Sequence, residues 1–204
     1  MKKTLTSAIC LLVATIFIAV MPTDAEGAIY ENTVRLHILA NSDSTEDQAL
    51  KLALRDEVLR EYGRELSVFE SVNEAKKNIE EKLDEIESFC NDKLDTLSGG
   101  AYSATVTITE EWYDTRDYGK YTLPKGYYTS LRIIIGEGEG ANWWCVLFPP
   151  LCLDVATDTS PEDDALEVGL SREEYAIITG DSGGYRIKFK ALELLEGAFG
   201  SRKR

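Results

Sequence analysis

GEGEGANWWCVLFPPLCLD, residues 136–154, is the stretch on which the reading of the fold turns. Three glycines alternate with two glutamates, and eleven apolar residues then run unbroken from Trp143 to Leu153. In an extended strand successive side chains point to opposite faces. Trp143, Cys145 and Leu147 are therefore expected on one face, and Trp144, Val146 and Phe148 on the other, before Pro149-Pro150 ends the strand. Both faces are apolar, so the strand must be covered on two sides or leave one face to a partner. The C-terminal segment is the expected cover. Otherwise the face is a docking surface, for which tryptophan is a favoured anchor.

Upstream, the pattern supplies the rest of a sheet. Residues 33–40 (TVRLHILA) alternate, with Val34, Leu36 and Ile38 inward and Arg35, His37 and Leu39 outward, a strand with one buried side. Ser44 with Asp47, or Thr45 with Gln48, reads as a capping box opening a helix over 46–62, stopped at Gly63. A second helix is expected over 68–97, with Val72, Ile79, Leu83, Ile86, Cys90, Leu94 and Leu97 as its apolar stripe and Ser98-Gly99-Gly100 as its end. The period then changes to two: Ala104, Val106 and Ile108 alternate with threonines. A hairpin connection over 113–126 leads to a return strand over 127–135. Residues 154–175 hold eight acids and one arginine and read as loop or helix, with Ser160 and Ser171 as helix starts. Residues 185–199 read as a C-terminal helix. The class is α+β: helices packed on a mostly antiparallel sheet, in the order β-α-α-β-β-β-α.

The chain has 204 residues and a net charge of −14, with a pI of about 4.6. That charge argues against nucleic acid and against an anionic membrane surface. Residues 1–25 carry Lys2 and Lys3 before an apolar run over 8–21. Fourteen helical residues span about 21 Å, short of the roughly 30 Å hydrocarbon core. A secretory signal peptide is the expectation, with an uncleaved anchor as the alternative, and residues 26–204 form a single exported domain.

His37 is the one histidine, so no His-rich metal site can form around it. It reads as a polar residue of the outer sheet face beside Arg35, or as a contact residue. Pairing it with Cys145 as a nucleophile finds no support in the pattern. Cys145 and Cys152 either bridge across the Pro-Pro turn, worth about 2.5 kcal/mol for an eight-residue loop, or are buried separately; Cys90 reads as a core thiol. The glycine run 136–140 fails as a phosphate loop, because Glu137 and Glu139 repel phosphate and no Lys-Ser/Thr follows. It reads instead as a bend that lets two backbones approach closely.

VRLHILANSDSTEDQALKLALRDEVL at 34–59 and IIIGEGEGANWWCVLFPPLCLD at 133–154 resemble the stage II sporulation protein R family of endospore-forming bacteria. TRDYG at 115–119 and LPKGYYTSLRI at 123–133 fit the same pattern. The resemblance implies a non-enzymatic signalling protein without cofactors, exported from the forespore into the space between forespore and mother-cell membranes. Its implied partner is a membrane-embedded aspartic-type protease of the mother-cell septal membrane, which processes a pro-sigma factor. The resemblance supplies no catalytic or contact residues. From the strand argument alone, Arg35, His37, Asn41, Asp43, Trp143 and Trp144 are the candidate partner-binding residues. An exported cell-wall-binding module or hydrolase is the alternative.

Overall fold

The computed structural model describes residues 24–66, 69, 71–118, 121–149, 151 and 171–179, with five helical positions nearer the N-terminus (Thr6, Ser7, Cys10, Leu11 and Ala14). Cys152, the Ser160 helix start and the expected helix over 185–199 lie outside these residues. Among the described residues no helix is long and apolar enough to cross a membrane.

The order is α1 (Asp24–Glu31), β1 (Val34–Leu39), α2 (Thr45–Leu66), α3 (Val72–Glu81), α4 (Leu83–Ser98), β2 (Ala104–Tyr113), β3 (Arg116–Asp117), β4 (Thr122–Leu123), β5 (Gly126–Ile135), β6 (Asn142–Phe148) and α5 (Arg172–Thr179). Four strands form one sheet in the order β2-β5-β1-β6, and β3 and β4 form a separate two-stranded ribbon. β1 runs parallel to β5, while β1–β6 and β2–β5 are antiparallel. The α+β expectation holds.

The inward face of the sheet packs on α2, α3 and α4. Val34, Leu36 and Ile38 meet Leu131 and Ile133 from β5, Leu54 and Val58 from α2, and Ile86, Cys90 and Leu94 from α4. The predicted stripe of the second helix supplies much of this core, although Leu97 stays exposed. Burial pushes the Cys90 thiol up to about 12, and thiolate is the reactive form. In a chain that retains residues 1–25, iodoacetamide should therefore label the free, exposed Cys10 at once and label Cys90 roughly a hundredfold more slowly until the fold is opened. Equal native-state rates, read by peptide mass, would contradict this packing.

The expected single helix over 68–97 is two helices. Ser71 caps α3 by accepting from the Glu74 amide. At Lys82, whose φ/ψ of −105/7 is not helical, the N–H is shared between Asn78 O and Ile79 O, and the chain restarts as α4. Apolar spacing carries straight across this break, so periodicity cannot register it. α2 runs through the expected stop at Gly63 to Leu66. Beyond the glycine, Glu65 takes a 2.6 Å ion pair from Lys82, which ties the end of α2 to the α3–α4 junction.

Two further expectations are corrected. All six β1 residues are buried, so the face carrying Arg35 and His37 is not solvated. α1, α5 and the ribbon region cover it through a second cluster: Ile29, Tyr113, Leu123, Tyr128, Val146, Leu151, Ile177 and Ile178. α5 starts where Ser171 predicts, with reciprocal Ser171–Glu174 capping bonds. In β6, Phe148 joins Leu147 and Trp143 on the helix side rather than Trp144. The register shifts between Val34 and Arg35, whose partners are Phe148 and Val146. One extra β6 residue at that bulge reverses the alternation.

Candidate functional site

The two most unusual stretches of sequence meet at one end of the sheet. After β1, Asn41 Nδ2 and Ser42 Oγ both donate to Asp47 Oδ2, at 2.9 and 2.6 Å. Ser44 Oγ accepts from the Asp47 amide and caps α2. The Ser42 and Asn41 donors, followed by Tyr102 and Ser44, hold the Asp47 carboxyl below its ordinary range against the opposing effect of burial. The glycine run lies directly on this loop. Glu139 N and Gly140 N donate to Asn41 O and Ala40 O, Glu137 N donates to Asn41 Oδ1, and Ala141 N donates to Asp43 Oδ1. Buried Lys51 reaches across from α2 to Ala141 O at 2.7 Å. A side chain at Gly140 would sit 2.2 Å from Ser42 O; at Gly136, with φ of 58°, it would meet Asn41 Oδ1 at 2.3 Å. The close-approach reading of the glycines is thereby accounted for residue by residue.

The second element is a polar layer on the face opposite α2–α4. His37 Nδ1 donates to Glu111 Oε2 at 2.9 Å, and Nε2 meets the Asn142 carboxamide at 2.9 Å. Tyr113 Oη donates to the same Glu111 oxygen and contacts Ser130 Oγ at 2.6 Å. Arg132 Nε lies 3.4 Å from Glu111 Oε1, an ion pair without hydrogen-bond geometry. Burial alone raises the Glu111 pKa, but the His37 hydrogen bond and charge, with Tyr113 and Arg132, outweigh it and hold the carboxyl below its ordinary value. Burial drives the Tyr113 phenol upward, so it remains a neutral donor.

Arg35 is fully buried in an aromatic cage. Its guanidinium lies 3.8 Å over the Tyr113 ring and 5.1 Å from Tyr128, and Nη2 donates to Tyr118 Oη. Among the described residues Nε and Nη1 have no hydrogen-bond partner. A buried cation with unpaired donors is costly, and an apolar replacement of similar volume is commonly neutral or stabilising. Arg35→Met should therefore leave the melting temperature unchanged or raise it. A fall of more than about 2 kcal/mol in urea unfolding would show that the cage is worth more than these unpaired nitrogens cost.

Arg35 and His37 thus lie inside the molecule, joined through Tyr113. Asn41 and Asp43 belong to the interlocked loops, with Asn41 half-buried and Asp43 exposed. Trp143 and Trp144 are both half-buried on opposite faces. Arg55 lies 5.1 Å over Trp143 on the helix side, and Arg116 lies 4.0 Å over Trp144 on the other. Cys145 is disulfide-bonded to a partner outside the described residues, so it forms no nucleophile with His37. Among the described residues no cluster of three or more His, Cys, Asp or Glu could hold a metal. Glu111, Tyr113, Tyr118 and Asn142 were not legible in advance; one of two adjacent glutamates at the end of a threonine-rich strand gives no hint that it receives a histidine from a strand two positions away in the sheet.

A mixed sheet covered on both faces, with two loops locked at one end and a buried polar layer, defines an α+β domain of distinctive build. The chain belongs to the stage II sporulation protein R family, whose model matches residues 30–158. Stage II sporulation protein R of Bacillus subtilis (strain 168) is 41% identical over 124 residues, covering 61% of this chain and 55% of that protein. The match therefore spans little more than half of the relative's length. No solved structure matches. The matched region contains both interlocked loops and the polar layer, whereas α5, which helps cover that layer, falls outside it.

Proposed function

We propose that this chain is an exported sporulation signal that activates a membrane-embedded aspartic-type protease, so that the protease processes a mother-cell pro-sigma factor. Family membership over residues 30–158 is the observation that carries the reading. The basic-then-apolar leader and the acidic charge of −14 support an exported protein that acts on another protein rather than on nucleic acid. Activation without chemistry requires that this chain bind the active state of the protease better than the inactive one. In this reading Arg35 and His37 set the sheet face from within, Asn41 and Asp43 fix the loop end, and the half-buried Trp143 and Trp144 keep edges that a partner can reach.

Complementation checks it. In a spore-forming bacterium lacking its own stage II sporulation protein R, the full chain should restore spore formation, and the same chain without residues 2–25 should not. Rescue by the leaderless chain, or no rescue by a well-expressed full chain, contradicts the proposal.

A further inference from the structure

The strand β2 lies at an edge of the sheet, and among the described residues only half of that edge is closed. Ala104 N donates to Asn91 Oδ1 at 2.8 Å, Asn91 Nδ2 donates back to Ala104 O, and Val106 N donates to Glu87 Oε2 at 2.8 Å. These bonds show that the amides of Ala104 and Val106 point away from β5. The β2–β5 register is continuous from Ala104↔Ile135 to Tyr113↔Gly126. By the two-residue period, the N–H groups of Ile108, Glu110 and Trp112 point outward as well. The covering helix runs out there, since α4 begins at Leu83, one turn before Glu87. An open run of strand amides is a template for another strand.

The same open half carries the largest exposed aromatic pair among the described residues of the domain. Trp112 and Tyr127 face each other across β2 and β5, are 53% and 63% exposed, and meet edge-to-face at 5.2 Å. Trp and Tyr are the residues most used as interface anchors. Glu110, also exposed, stands between Ile108 and Trp112. Antiparallel pairing of two copies centred there would set Glu110 against its own copy, on chains of charge −14 each. Like charges directly opposite destabilise a strand pair.

We propose that the β2 edge at Ile108–Trp112 is a strand-addition site for an extended, basic segment of a partner protein, with Trp112 and Tyr127 as its anchor. Backbone pairing supplies the register, Glu110 selects Lys or Arg at alternate positions, and Trp112 offers its ring to the cation. The activator reading identifies that partner as the receptor protease; the chemistry of the edge stands apart from it.

Two measurements separate these claims. In the first, a short synthetic peptide of alternating Lys and Val is added to the isotope-labelled full chain. Amide shifts and exchange protection are expected at Ile108, Glu110 and Trp112. An alternating Glu-Val peptide should bind at least tenfold more weakly. Glu110→Pro removes one outward N–H without touching the β5 ladder and should abolish the effect; Glu110→Lys, which keeps the backbone, should invert the preference. Shifts confined to other acidic surfaces, or self-association of the chain through β2 in sedimentation, would overturn the site. In the second, Glu110→Pro and Trp112→Ser should each lower protease-dependent processing at least tenfold with Cys90 still protected. Wild-type processing by both variants would show that the receptor docks elsewhere, while leaving the dependence of processing on this chain intact.

Discussion

Gly140→Ala is expected to lower the melting temperature by roughly 10 °C, corresponding to about 3 kcal/mol in a domain of this size. The added methyl would sit 2.2 Å from Ser42 O, 2.5 Å from Ser42 C and 3.0 Å from Ala40 Cβ. The first two are backbone atoms, and they belong to the loop that caps α2, so neither can swing away as a side-chain tip could. Relief requires the two loops to separate. That breaks the Gly140 N to Ala40 O and Ala141 N to Asp43 Oδ1 bonds and withdraws Ala141 O from buried Lys51. Gly27→Ala is the control. It lies within α1 with nothing inside 4 Å of the added atom, and it should stabilise by about 0.5–1 kcal/mol through helix propensity. Equal effects of the two substitutions in calorimetry would mean that the loops do not interlock.

Glu111→Ala is expected to cost about 2–3 kcal/mol, because one carboxylate serves His37, Tyr113 and Arg132 together. Its loss leaves a buried ring N–H without its acceptor and leaves the buried phenol only Ser130 Oγ. The pH dependence has a defined sign. Glu111, Asp47 and Glu57 all have folded pKa values below their ordinary 4.5, 3.8 and 4.5. For Glu57 the Lys93 and Arg60 hydrogen bonds are the leading causes. A carboxyl with a depressed folded pKa contributes stability that is present above the unfolded value and is lost as pH falls through the folded one. The chain should hold its stability from neutral pH down to about 5 and lose it on further acidification. Glu111→Ala should be the less stable protein at pH 7 and should show a shallower acid loss. Urea midpoints from pH 7 to 3 test both parts; parallel curves for the two proteins would contradict the assignment to Glu111.

What the sequence disclosed follows from which signals are local. Period-two alternation in β1 and β2, the serine starts of α2 and α5, and the Gly99 stop of α4 are each written within a few residues, and each was legible. The break at Lys82 was not, because it preserves the apolar spacing on both sides. The bulge in β6 was not, because an uninterrupted apolar run has no polar residue to mark a reversal of faces. The site divides the same way. Close approach at the glycine run could be inferred from the residues. The partner loop at Asn41–Ser44 could not, since it is ninety-odd residues distant and its contacts are largely to backbone. Arg35 and His37 read as surface residues because polarity in an alternating strand ordinarily means solvent. Here a tyrosine-rich cage and one glutamate, drawn from other strands and the ribbon, admit them to the interior instead.

Cleavage of the pro-sigma factor in a non-sporulating bacterium that co-expresses the receptor protease with this chain tests the central claim most directly. Immunoblotting should show the mature sigma factor when the protease and the full chain are present together, and only the pro-form when either is omitted. The same extent of cleavage with the protease alone would contradict the account.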